Sequence, residues 1–271
     1  MEPREIVHPD SRLVAKKFKK IIKTFTTVLD NYIKNPDEDN IHDIRIAIRR
    51  MEAVYRILPK KIRQERDLQK YVEQSKNLFK INTRVRDFDI ICSKLEKKQP
   101  NQFSQIISSI NNKRKIQLST GIELALKIKD LTEPRLKEKE IGESRLRKRF
   151  QKVVTRLANE INQNIPVVLG DEKKVEEIHK LRKDFKKLRY SIELTSEKRD
   201  SLESIKSLKR IQDELGLIHD SDIFLDYLRE IEGPHDLSGT IREEILERKE
   251  RYNKFVQVFR VEKIDPRKLI S

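Results

Sequence analysis

An all-α fold, built as two similar helical halves, is what this sequence predicts, and three observations carry the prediction. The first is the stretch Ile41 to Leu58, where Ile41, Ile44, Ile48, Met51, Tyr55 and Leu58 recur at alternating steps of three and four. That spacing puts them on one face of a helix, as a packing seam. The second is that Ile178 to Thr195 repeats the pattern, with Ile178, Leu181, Phe185, Leu188 and Ile192 as its seam. The third is composition: 39% of residues are charged, only 6 are Gly, and Glu, Lys, Arg, Leu and Ile dominate. Such a chain suits long helices carrying many i, i+4 ion pairs.

Each seam has a companion. One position beyond the first seam residues, His42, Arg45 and Arg49 form a second stripe about 100° round the axis, at the edge of the seam rather than opposite it. In the second copy the stripe is His179, Arg182, Lys186 and Arg189. A stripe in that position is only half free to face water, so its faithful repetition points to use.

Taken in order, the chain begins irregularly with Pro3 and Pro9, and Ser11 is the expected cap of a helix running to about Lys34. Its apolar stripe is Val14, Phe18, Ile21, Phe25, Val28 and Tyr32; its basic stripe is Arg12, Lys16, Lys19 and Lys23. The seam helix comes after an acidic turn and stops at Pro59. A third helix is expected over Gln64 to Lys80 with Lys76 on a neighbouring face, then a break at Asn82 and a short helix capped by Asp87. Gln99 and Pro100 separate this from a long segment reaching Lys129, and the polar run Leu131 to Gly142, with Pro134, is the expected junction of a first half, 11–130, and a second, 143–260.

From Ser144 the plan restarts. Arg145, Arg149, Lys152 and Arg156 each lie 133 residues after Arg12, Lys16, Lys19 and Lys23. Asn164 to Asp171, with Pro166 and Gly170, reads as a longer counterpart of the acidic turn, which shifts the second seam helix to an offset of 137. A helix near Ser201 to Leu215 returns to 133 and sets Lys209 over Lys76. A second break then places His219, Asp220 and Asp222 where Arg86, Asp87 and Asp89 stood; Gly233 and Pro234 precede a last helix, Thr240 to Val258. Insertions confined to turns, with stripes held in register, are what duplication of a helical unit leaves. The expected architecture is two bundles related by an approximate two-fold, with basic stripes facing across the axis or lining a shared groove.

The formal charge is +16 and its excess lies within the periodic segments, which favours a folded polyanion-binding surface over a basic tail. The one cysteine, Cys92, allows neither an internal disulfide nor a cysteine-built metal cluster. No signal-like apolar run and no stretch near the ~20 apolar residues of a membrane span is present, so the expectation is a cytoplasmic protein with no membrane role. No cofactor motif is found.

IHDIRIAIRR, IHKLRKDFKKLRY and the runs RVRDFDI and LGLIHDSDI resemble the two halves of a CHAD domain, the conserved histidine α-helical domain, over nearly the whole chain. His179, Arg182, Lys183, Lys186, Leu188, Arg189 and Tyr190 match the family pattern at the second site, and His42, Arg45, Arg49 and Arg50 at the first. The resemblance implies a pair of four-helix bundles around a basic central channel or pore that binds inorganic polyphosphate without catalysis, and with it an association with polyphosphate granules. Thr83 departs from the family, which often has Gly there, and no triphosphate-tunnel domain accompanies the 271 residues, which therefore read as a stand-alone module.

Polyphosphate offers no base edges, so a receptor needs dense, oriented donors along a track: Arg as a planar fork, Lys as a mobile point charge. The stripes supply them, with Tyr190 expected to donate from its hydroxyl at the rim. Against the reading as solvated faces stands the expectation that carboxylates do not accompany the stripes at i, i+4, where stacked like charges cost free energy without a ligand. The duplicated His42 and His179 are expected to contact the ligand, so that mild acid tightens binding, and charge reversal at Arg45 or Arg182 is expected to weaken it without unfolding. Two alternatives remain: a charge-driven RNA binder, which the absence of Trp for base stacking disfavours, and an HD-type metal-dependent phosphohydrolase using His42-Asp43 with His219-Asp220, the runs from His219 to Asp222 and from Arg86 to Asp89 supplying metal ligands. The second is disfavoured because Asp87 and Asp220 are read as helix caps and a divalent ion suits a cationic groove poorly.

Overall fold

The computed structural model describes residues 9–98, 103–195, 203–231 and 237–262. Among them every regular element is a helix. In chain order these are α1 (Ser11–Lys34), α2 (Glu38–Ile57), the single turn α3 (Lys60–Arg63), α4 (Arg66–Lys98), α5 (Ser104–Lys129), the turn α6 (Glu138–Ile141), α7 (Glu143–Gly170), α8 (Val175–Ile192), α9 (Glu203–Glu230) and α10 (Ser238–Glu262).

Local chemistry sets the first two. Asp10, not Ser11, caps α1: its carboxylate accepts from Leu13 N at 2.6 Å, leaving Ser11 as the first helical residue. A carboxylate there also meets the positive end of the helix dipole, which a hydroxyl would not. Asp37 does the same for α2, accepting from Asn40 N at 2.8 Å, with Glu38 and Asp39 in the first turn. Five of the six seam residues are buried as their spacing requires, Ile41, Ile44, Ile48, Met51 and Leu58 having no more than 1% of their surface exposed. Each such side chain contributes roughly 1.5–3 kcal/mol. Tyr55, the sixth, is half-buried and donates its hydroxyl to Arg63 O at 2.9 Å.

Two expected breaks do not exist. Helix α4 runs unbroken for 33 residues and α9 for 28, so Asp87 and Asp220 are mid-helix residues and cap nothing. The stretch from Arg66 to Lys98 holds neither Gly nor Pro, and its inward stripe (Leu68, Val72, Ser75, Leu78, Asn82, Val85, then Cys92 and Leu95) keeps helical spacing through the polar run. Thr83 simply folds its hydroxyl back onto the Phe79 carbonyl at 2.9 Å. The turn expected at Asn164–Asp171 is also helical: α7 continues through Pro166 to Gly170. Proline removes one ladder bond, but Val168 stays buried and its carbonyl accepts from Tyr252 Oη at 2.7 Å, while Asn164 Nδ2 donates to Glu177 O at 2.7 Å. The intervening turn shrinks to Asp171–Lys174. In the expected junction, Gly142 adopts φ +68° between α6 and α7, a conformation that L side chains rarely accept. The expected separators Gln99–Pro100 and Gly233–Pro234 lie outside the described residues.

Helix α1 packs on α2 and α7 on α8; α2 packs on α4 and α8 on α9; α4 pairs with α5 and α9 with α10. The residues on either side of the expected junction meet where α2 contacts α7 and α8 and where α4 contacts α9. One apolar cluster spans both halves, from Val14 to Phe259, and a smaller one gathers Ile91, Leu95, Phe103, Ile110, Phe224 and Leu228 at the far ends of α4, α5, α9 and α10. Ion pairs tie α4 to α10, with Lys94 Nζ 2.6 Å from the fully buried Glu244 and Lys98 Nζ 3.1 Å from Glu247.

One glycine connects α5 to the packing of α1 and α4. Gly121 lies against Tyr32, so that a Cβ there would run into the tyrosine hydroxyl. That hydroxyl donates to Asn82 Oδ1 at 3.0 Å, and burial pushes its pKa up to about 12. Gly121→Ala is therefore expected to destabilise the protein by about 1–2 kcal/mol in urea unfolding, despite the helix propensity of Ala. In a Tyr32→Phe background the same change is expected to be neutral or stabilising. Equal costs in both backgrounds would mean the hydroxyl is not what the glycine accommodates.

Candidate functional site

Where α2 crosses α8 the two basic stripes meet. Arg45 and Arg49 come from α2, Arg182 and Lys186 from α8, each half-buried because its stripe borders the packing seam. The guanidinium groups of Arg45 and Arg49 lie over the Phe79 ring of α4, 5.4 and 5.0 Å from its centroid. Arg45 Nη1 also donates to Asn82 O at 3.0 Å, which couples it to the Tyr32 contact. The Arg182 Nε is buried without a hydrogen-bond partner among the described residues.

Electrostatics reports the crowding. Burial, then the charge of Arg49, draws Arg182 down to about 10, and the same two causes in the same order draw Arg45 to about 10. Both remain cationic at neutral pH, so the shifts measure cost rather than proton loss. Lys186 is affected most: burial first, then Arg182, Arg49 and Arg45, bring its ammonium down to about 6. Two carboxylates face the group, one from α4 and one from α9. Burial raises Asp87 to about 6 against the pull of Arg45, and raises Asp220 against that of Arg182.

A second chain of contacts adjoins it on the α8–α9 side. Arg248 Nε of α10 donates to Asp222 Oδ1, His179 Nε2 lies 2.9 Å from Asp222 Oδ2, and His219 Nδ1 lies 3.0 Å from His179 Nε2. The imidazoles meet edge to face, 4.4 Å between centroids. Burial, then the charges of Arg182, His179, Lys186 and Lys183, draw His219 down to about 2. The first half carries no such chain among the described residues: His42 is exposed, Arg86 pairs with Glu38, and Asp89 takes Arg114 at 2.5 Å.

The other residues singled out in the sequence scatter. Arg12, Lys16, Lys19 and Lys23 are exposed along α1, and Arg145, Lys152 and Arg156 along α7. Arg149 turns inward and donates Nε to the Arg56 carbonyl at 3.2 Å, helping to finish α2. Arg50 is half-buried on α2; Lys183 and Lys209 are exposed on α8 and α9; Lys76 lies over the Tyr55 ring at 5.3 Å. Arg189 is committed to Glu193 at 2.7 Å and Gln212 at 3.0 Å, with its guanidinium 4.5 Å from the Tyr190 ring. Tyr190 itself is buried, not at a rim. Nor are the stripes free of carboxylates at i, i+4: Arg189–Glu193 and Arg156–Glu160, the latter at 3.7 Å, are such pairs. The side chain of Arg189 reaches forward over the helix edge, where burial makes an ion pair worth forming.

Sequence reasoning missed His219, Asp87, Asp220, Asp222 and Arg248 as members of one neighbourhood with the cations. Part of the signal was present: the 133-residue offset aligned His219 and Asp220 with Arg86 and Asp87, and a helix continued through the second run puts His219 and Asp222 in step with Leu215 and Ile218. Among the described residues no three His, Cys, Asp or Glu side chains converge as a metal ion requires, and no helix is long and apolar enough to cross a membrane.

The site and fold thus define an all-helical domain that brings cations from two separate stretches into a half-buried cluster. The model of one family, the CHAD domain, matches residues 17–229, and the chain belongs to that family. Among solved structures it is similar to the CHAD domain from the plant Ricinus communis, at 12% identity and a TM-score of 0.59, over 98% of this chain and 93% of that one. No curated protein matches the chain.

Proposed function

We propose that this protein binds inorganic polyphosphate in the α2–α8 cluster and does not transform it. The observation that carries the reading is the meeting of Arg45, Arg49, Arg182 and Lys186 with only Asp87 and Asp220 as facing carboxylates among the described residues, where burial and then the neighbouring cations bring an ammonium down to about 6. Like charges at that spacing raise the free energy of the empty protein, and a multivalent anion reverses the sign of the effect. A chain of phosphates suits these donors because Arg grips two oxygens at once. Nucleic acid suits them less: Phe79 is already covered by two guanidinium groups and offers no face to a base. A cytoplasmic location and the absence of a cofactor belong to the same reading.

The test is a displacement titration. Labelled long-chain polyphosphate bound to the protein is challenged with single-stranded RNA, duplex DNA and short phosphates, with phosphate release monitored in the presence of magnesium. Polyphosphate is expected to resist displacement, with no phosphate released. If about four phosphates are gripped, affinity falls roughly 50-fold between about 50 and 200 mM salt. Displacement by RNA at equal phosphate concentration would move the nucleic-acid reading ahead, and phosphate release would make the protein an enzyme.

A further inference from the structure

We propose that His219 presents its Nε2–H to the bound polyanion as an uncharged hydrogen-bond donor, held in that tautomer by the chain His179–Asp222–Arg248. The inference rests on the polyphosphate reading of the cluster and adds to it a contact that no basic stripe supplies.

The tautomer comes from counting protons along the chain. Arg248 Nε donates to Asp222 Oδ1 in an ion pair, so Asp222 enters the chain as an acceptor. Its other oxygen, Oδ2, lies 2.9 Å from His179 Nε2, so the His179 proton resides on Nε2 and points at Asp222. That nitrogen then has no lone pair to offer. His219 Nδ1, 3.0 Å from the same nitrogen, must therefore be the bare, accepting atom. A neutral imidazole with a bare Nδ1 carries its one proton on Nε2. The neutral state is itself favoured, since burial first and then the charge of Arg182 oppose protonation.

Two of the cations beside His219, Arg182 and Lys186, belong to the cluster assigned to the anion. Nε2 of His219 has no hydrogen-bond partner among the described residues and is not one of the buried orphan atoms, so it is open to a ligand oxygen. A neutral donor there adds a directional bond to a phosphoryl oxygen without adding to the repulsion that already burdens Arg45, Arg49, Arg182 and Lys186. A fifth cation would have deepened it. His179, whose helix repeats the pattern of His42, becomes the positioning residue, and Asp222 with Arg248 sets its proton. The alternative is a histidine pair that serves packing alone.

Nitrogen-15 NMR of the imidazoles in the full chain separates the two. In the free protein His219 is expected to show a protonated Nε2 and a bare Nδ1; on adding long-chain polyphosphate, the Nε2 and its proton shift while Nδ1 stays bare. In parallel, His219→Leu is expected to bind polyphosphate at least about tenfold more weakly than the parent, as for a lost hydrogen bond to a charged group, with His219→Asn retaining part of the affinity through its amide donor. Parental affinity for His219→Leu, or an Nε2 resonance that ignores the ligand, overturns this proposal while leaving the cluster intact. Failure of the parent itself to bind polyphosphate overturns the reading on which it rests.

Discussion

The double variant Arg45→Met, Arg182→Met is expected to lose at least two orders of magnitude in polyphosphate affinity and to melt a few degrees higher than the parent. Each guanidinium that grips phosphate contributes about 1.5–3 kcal/mol through charged hydrogen bonds, so two together account for roughly a hundredfold or more. The gain in stability has a separate origin. Both groups are brought down to about 10 by burial and by Arg49, so holding these charges half-buried beside one another costs the empty protein stability. Methionine keeps the unbranched stem while removing the repulsion. A gain of about 1 kcal/mol corresponds to roughly 2–4 °C in a chain of this size. Scanning calorimetry and a polyphosphate titration on the same sample decide it. Lost binding with a lower melting point would make the cluster structural; retained binding would move the site elsewhere.

Lys186 makes both stability and binding depend on pH. Its ammonium titrates at about 6 when folded, against an ordinary value of 10.5 in the unfolded chain. Between these values the unfolded state binds more protons, so stability rises with pH, at most about 1.4 kcal/mol per unit. His219 and Asp87 do not confuse the window from about pH 7 to 9. The depressed histidine adds stability only as pH rises toward 6.5, and the raised carboxyl loses it only as pH rises toward about 6. A bound polyanion restores the charge of Lys186, so the complex holds a proton that the free protein lacks. Polyphosphate affinity is therefore expected to fall by up to about tenfold per pH unit from about 7 to 9, with close to one proton taken up on binding. Calorimetry in two buffers of different ionisation heat reads that proton directly. Lys186→Met is expected to bind more weakly, with a flat melting profile over the same range. A parent whose affinity ignores pH would show that Lys186 keeps its charge without the ligand.

Whatever repeats along a single helix was legible in the sequence. The seam from Ile41 to Leu58 and its copy from Ile178 are buried because a step of three and four admits one burial face, and the all-α class came from that spacing with so little glycine. Arg45, Arg49, Arg182 and Lys186 could be named for the same reason, since a stripe at the edge of a seam must end at an interface. The breaks were misread because asparagine, aspartate and proline were weighed as local signals. In α4 and α7, continuous burial of the inward stripe outweighed them, and one proline or one aspartate does not offset a helix packed along its whole length.

Which cations meet was a matter of packing between helices. The stripes of α1 and α7 look like those of α2 and α8 when written out, yet they lie largely exposed, while the latter cross and crowd. Helical periodicity reports the direction of a side chain around its own axis and carries nothing about which axis lies opposite. The difference between the halves belongs to the same class. His42 and His179 occupy matching positions, but only His179 finds Asp222 and His219 beside it, because that pairing depends on α8, α9 and α10 packing together and on Arg248 reaching Asp222. The order of residues along the chain set the helices, their faces and the charge they carry; the packing of one helix against another set where that charge gathers.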